Sequence, residues 1–107
     1  MRELVCKAKK SRDDAGEGTW VICEGELVAG NTDTLKEVVR PLIAEGGRVV
    51  VDMEAVSYLD SMGLGSLVGL KTSAAKAGNC QLEFTNLSHR VQHVVRITGL
   101  ASLFQLT

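Results

Sequence analysis

Residues 48–65, RVVVDMEAVSYLDSMGLG, decide how the chain is read. They open on a continuous apolar run at 48–53, of the kind found in a strand buried on both faces. They close on Asp60-Ser61-Met62-Gly63-Leu64-Gly65, where a serine and glycines begin the next apolar segment. The residues between, 54–60, read as a loop. From Ser61 the recurrence of Leu64, Leu67, Leu70 and Ala74 predicts a helix with one core-facing side, running to about Ala77 and ended by Gly78. A strand, a loop and a helix in succession are the start of an α/β unit.

Working outward, 80–85 (CQLEFT) alternates as a strand. Residues 88–99 read as a helix capped by Ser88 and ended by Gly99, and 103–106 (LFQL) as a last short strand. Upstream, 30–47 predicts a helix with Asn31 or Thr32 as its cap, Asp33 at its positive end and Gly46-Gly47 as its stop. Leu35, Val38, Val39, Leu42 and Ile43 give it an apolar face. Pro41 removes a backbone donor inside that pattern and predicts a kink over 37–40, or a helix in two pieces. Further upstream, 4–8 and 19–27 read as strands joined by a polar, glycine-bearing hairpin loop at 9–18. The order is β-β-α-β-α-β-α-β. Strands alternate with helices from Arg48 onward, which predicts right-handed crossovers and a largely parallel sheet, with the opening hairpin as an antiparallel edge.

The chain has 107 residues and a formal net charge of −1. That is the size of one ordinary domain, taken here as 1–107, and its charge gives no general attraction to nucleic acid or anionic lipid. No basic run alternates with aromatics, and no apolar run reaches the roughly 20 residues of a membrane span. The N-terminal segment turns polar too early for a secretory signal. Cys6, Cys23 and Cys80 lack CxxC spacing and lie in strand-like stretches, so they read as reduced core residues in a cytoplasmic protein. The sequon Asn86-Leu87-Ser88 carries no chemistry in that compartment.

Three chemistries other than docking find partial support in the residues. Gly63, Gly65 and Gly69 come near a nucleotide-binding fingerprint, but they fall within the helix rather than in a turn before it. His89 and His93 share a helix face without a glutamate base or a third ligand, so two solvent-facing histidines explain them better than a metal. Ser61 lacks the G-x-S-x-G elbow of a nucleophile and would need a base from elsewhere in the fold. As a helix N-cap, Ser61 would satisfy an orphan amide and still be reachable by another protein. A phosphoryl group there would add roughly −1.5 to −2 charge, which a helix N-terminus tolerates. Ser61, Gly65, Gly69 and Ser73 form a stripe of small residues facing either the sheet or a partner.

Taken together, 49–70 (VVVDMEAVSYLDSMGLGSLVGL) resembles the central motif of STAS domains, specifically of bacterial anti-sigma factor antagonists. Residues 24–39 (EGELVAGNTDTLKEVV) and 86–106 are similar to that family's first-helix entry and its last helix and strand. The resemblance implies an α/β fold with a four- to five-stranded mixed sheet and helices packed mainly on one face. It implies a regulator rather than an enzyme, with no cofactor of its own because ATP belongs to the partner. By position, the resemblance implies that Ser61 is the phosphorylated residue. An anti-sigma factor serine kinase binds the unphosphorylated form, and a phosphatase resets it. The expected partner surface is Val28, Asn31, Asp60, Ser61, Met62, Gly63 and Gly65. Val28 departs from the acidic residue that many members carry after G-E-L, and Met62 from a small polar one. Val28 is the feature favouring an alternative: an unphosphorylated STAS subunit of a transporter-associated or other multi-protein complex. Neither reading fixes an oligomeric state.

Overall fold

The computed structural model describes residues 3–104. Its elements are β1 (Val5–Asp13), β2 (Gly16–Leu27), α1 (Thr32–Glu45), β3 (Gly47–Leu59), α2 (Ser61–Ala77), β4 (Cys80–Thr85) and α3 (His89–Ile97), followed by a 3-10 turn, Ala101–Phe104. The four strands form one mixed sheet in the order β1-β2-β3-β4. β1 and β2 are antiparallel, while β2, β3 and β4 are parallel. This is the α/β arrangement expected of alternating strands and helices after an opening hairpin.

One sheet face carries the core. Val21, Cys23 and Leu27 of β2, Val49, Val51 and Met53 of β3, and Leu82 and Phe84 of β4 join a single buried cluster. All three helices add their apolar residues to it: Leu35, Val39 and Ile43 from α1, Leu64, Leu67, Leu70 and Ala74 from α2, Val91 and Val95 from α3. The helices therefore share one side of the sheet. On the other side the register sets Lys9, Trp20, Val50 and Glu83 in a row. There Arg48 bonds Asp13 at 2.6 and 2.9 Å and Glu83 at 2.8 Å, with its guanidinium 5.2 Å from the Trp20 ring centroid. The two carboxylates raise the Arg48 pKa, and Arg48 in turn lowers that of Asp13. One cation thus ties both edge strands together over the central pair.

Four expectations need correction. The loop expected at 9–18 is mostly strand: only Asp14-Ala15 separates the paired residues Asp13 and Gly16, and Gly16 takes the positive φ that the tight turn requires. An edge strand with one face in water is polar along its length, which makes it look like a loop. The loop expected at 54–60 is also strand, since β3 continues to Leu59. Its pairing with β2 shifts twice, between Ile22 and Glu24 and between Gly25 and Glu26. Each shift places an extra residue in β3, so core positions recur every third residue as Met53, Val56 and Leu59. Third, of the two outcomes expected at Pro41, the helix in two pieces does not occur: α1 runs through it as one element. Pro41 and Glu37 are both exposed, so water can reach the carbonyl that lost its donor. Last, Leu103 and Phe104 lie in a 3-10 turn instead of a fifth strand. Leu100 and Leu103 spend their amides on Val95 and Leu100, and Phe104 is buried with its ring 5.4 Å from Phe84. Gln105 and Leu106 lie outside the described residues.

Candidate functional site

The candidate residues converge where the parallel strands β2 and β3 end, at Leu27 and Leu59. In open α/β sheets this carboxyl edge is where helix N-termini gather and ligands bind. Past Leu27 the chain turns at once: the Asn31 amide donates to Val28 O at 3.0 Å. Asn31 does not cap α1 with its side chain. Its Oδ1 accepts from Val28 N at 2.9 Å, and its Nδ2 donates to Glu26 O at 2.8 Å. The side chain braces the turn, and α1 begins at Thr32.

Past Leu59 the cap is Asp60 rather than Ser61. Asp60 has extended backbone angles, and its Oδ1 accepts from Gly63 N at 2.8 Å. Its Oδ2 accepts from Ala29 N at 3.1 Å, which joins the two turns. These amides, Gly63 foremost, hold the Asp60 carboxyl below its ordinary value. A carboxylate is as good a cap as a hydroxyl, and the backbone at Asp60 makes the choice.

Ser61 becomes the first residue of α2 and is exposed. Among the described residues no hydrogen bond engages its hydroxyl. Met62 beside it is 61% exposed. Gly63 is buried, and a Cβ there would collide with the Leu27 carbonyl. Gly65 and Gly69 have open space where a Cβ would stand. Ser61, Gly65, Gly69 and Ser73 are all exposed, so the small stripe faces outward while Leu64, Leu67, Leu70 and Ala74 are buried.

The stripe forms one wall of a groove of about 340 Å³ between α1 and α2. Thr32, Lys36 and Arg40 form the other wall. Sequence reading passed over Lys36 and Arg40. Their four-residue spacing from Thr32 places all three on one helix face, but only the packing of α1 beside α2 turns that face towards Ser61.

The other chemistries do not gather here. Gly63, Gly65 and Gly69 belong to α2 itself, with no glycine turn before it. His89 and His93 are exposed on α3. Among the described residues no cluster of three or more His, Cys, Asp or Glu side chains could hold a metal. No described helix is long and apolar enough to cross a membrane.

The sequence profile described as STAS domain matches residues 9–107. An anti-sigma-B factor antagonist of Bacillus subtilis is 34% identical over 83 residues, covering 78% of this chain and 75% of its own. One from Staphylococcus aureus is 36% identical over 83 residues, covering 77% of this chain and 76% of its own. Among solved structures, the unphosphorylated anti-sigma factor antagonist SpoIIAA superposes with a TM-score of 0.69 at 19% identity, covering 92% of this chain and 84% of that one. The phosphorylated form of the same Bacillus protein gives 0.62 at 18% identity, covering 92% and 86%.

Proposed function

The chain belongs to the STAS domain family, and from that premise we propose that it is an anti-sigma factor antagonist switched by phosphorylation of Ser61. The observation that carries the reading is the division of labour at the start of α2. Asp60 does the capping, which leaves the Ser61 hydroxyl exposed and unengaged at the head of a small-residue stripe that faces Lys36 and Arg40 across the groove. A kinase can take that hydroxyl without unmaking the helix.

Unphosphorylated, the surface of Val28, Asn31, Met62, Gly65 and the stripe beyond docks on the anti-sigma factor kinase, which then releases its sigma factor. A phosphoryl group on Ser61 adds roughly −1.5 to −2 charge at the middle of that contact. The amide end of α2 favours the charge, and the Asp60 carboxylate alongside opposes it. Bulk and charge together expel the partner, and a phosphatase restores the hydroxyl. The chain itself needs no cofactor for this cycle.

The test is to incubate the chain with ATP and an anti-sigma factor serine kinase from the same organism, then map the product by tryptic digestion. One phosphate on peptide 49–71, absent from Ser61→Ala, is the expected result. Phosphate elsewhere, or the same yield from Ser61→Ala, overturns the switch. Val28 is half-buried and brings no charge to the surface, which favours a second reading as an unphosphorylated subunit of a larger assembly. Recovery of a transport protein, and not a kinase, in a pull-down would select it.

A further inference from the structure

Away from Ser61, the sheet brings one pair of reactive side chains together. Cys6 of β1 and Cys23 of β2 are paired directly across the antiparallel ladder, with their sulfurs 3.0 Å apart. Residues in that relation have Cα atoms about 4.5 to 5.5 Å apart. A disulfide spans about 4.4 to 6.8 Å. Both sulfurs lie on the core side of the sheet, so a bond needs no slip of register. Cys80 stands on β4, the opposite edge strand, away from this pair.

The two thiols are unequal. Cys6 is half-buried on an edge strand, whereas Cys23 is 2% exposed. The hydrogen bond with Cys23 lowers the Cys6 pKa, while the bond with Cys6, followed by burial, raises that of Cys23. The thiolate is the nucleophile, so attack begins at Cys6. Core filling alone would require neither facing sulfurs nor a solvent-reachable member, and this pair has both.

We propose that Cys6 and Cys23 form a reversible oxidation site at which a peroxide closes an intrachain disulfide. The Cys6 thiolate attacks one oxygen of hydrogen peroxide, and the O–O bond breaks. Cys6 becomes a sulfenic acid, and the departing hydroxide takes a proton to become water. Cys23 sulfur then attacks Cys6 sulfur, the S–O bond breaks, and the second oxygen leaves as water with the Cys23 proton. Two thiols and one peroxide give one disulfide and two waters; the sulfurs are oxidised and the peroxide is reduced. A dithiol reverses the bond by exchange. The product fastens edge strand β1 to β2.

The sequence makes the test direct, because Lys7, Lys9, Lys10 and Arg12 lie between the two cysteines. The full chain is treated with hydrogen peroxide, its remaining thiols are alkylated, and it is digested with trypsin. The expected product joins peptide 3–7 to peptide 13–36, lighter by two hydrogens than their sum, and dithiothreitol separates it. Cys6→Ala, at a half-buried site, should fold and give no such product. The wild-type map stands alone if Cys23→Ala does not fold. Three alkylatable thiols after peroxide, a sulfinic acid on Cys6 without the linked peptide, or a link through Cys80 would each overturn the proposal.

Discussion

Asp60 and Ser61 divide between them what either could have done alone. Both are good capping residues, so their order in sequence could not say which one caps. The extended backbone at Asp60 decides it, and the hydroxyl is left free. Asp60→Ala should cost about 1 kcal/mol of stability, read in urea, whereas Asp60→Asn should keep most of the cap. A pH series separates them further. The folded pKa of Asp60 lies below the ordinary value of about 3.9, so the unfolded chain binds the proton more readily. The Asp60 contribution is therefore complete above that ordinary value and is lost as pH falls through the lower, folded one. Wild type should lose more stability than Asp60→Asn across that window; parallel acid limbs would refute the assignment. The glycines divide in the same way. Gly63→Ala meets the Leu27 carbonyl and should cost about 1 to 3 kcal/mol, as overpacking does. Gly65→Ala meets nothing and should gain up to about 1 kcal/mol from helix propensity. If Gly65→Ala is stable yet weakens kinase binding, the stripe is a contact; full binding would remove it from the surface.

At the scale of elements, legibility followed periodicity. α2 and β4 begin and end where their apolar spacing places them, with Gly78 in the left-handed conformation that closes α2. β3 defeated the same method because two register shifts turn its core positions from every second to every third residue. Met53, Val56 and Leu59 then resemble neither a regular strand nor a helix. The second half of β1 was hidden by its polarity, while α1 was legible as a helix and only its continuity through Pro41 was not. Pro41 sits in the interior of a helix that does not break, so its cost should be recoverable. An alanine there restores the donor to Glu37 and regains about 3 kcal/mol of intrinsic propensity. The freer unfolded chain offsets about 0.4 to 1 kcal/mol of that. Pro41→Ala should therefore stabilise the protein by about 2 kcal/mol, seen as a higher urea midpoint with an unchanged m-value. An unchanged or lower midpoint would mean that packing around α1 depends on the proline.

Across the whole molecule, the order of elements predicts the sheet because successive elements pack as neighbours and parallel crossovers keep one hand. The candidate site was legible as a motif with the surface the resemblance implied, but without the second wall of its groove. Ser61 could be singled out from its neighbours, but Lys36 and Arg40 enter only once α1 lies beside α2. That packing also determines how a switch at Ser61 can work. The core is one cluster fed by all three helices and by β2, β3 and β4, with Cys6 of β1 packed against it, and close-packed interiors resist gradual deformation. Ser61 lies outside it, exposed, with its cap supplied by Asp60. A charge placed there changes what the surface repels without changing what the core packs. Ser61→Asp should thus unfold at nearly the wild-type urea concentration. Its amide chemical shifts should differ from wild type around Val28 to Asn31 and along the Ser61 to Ser73 stripe, and stay put at Val21, Val39, Leu67 and Val91. Binding to the kinase should fall at least about tenfold, equivalent to about 1.4 kcal/mol. Shift changes spread through the core would point instead to a rearrangement of the fold, and intact binding would show that the partner does not rest on Ser61.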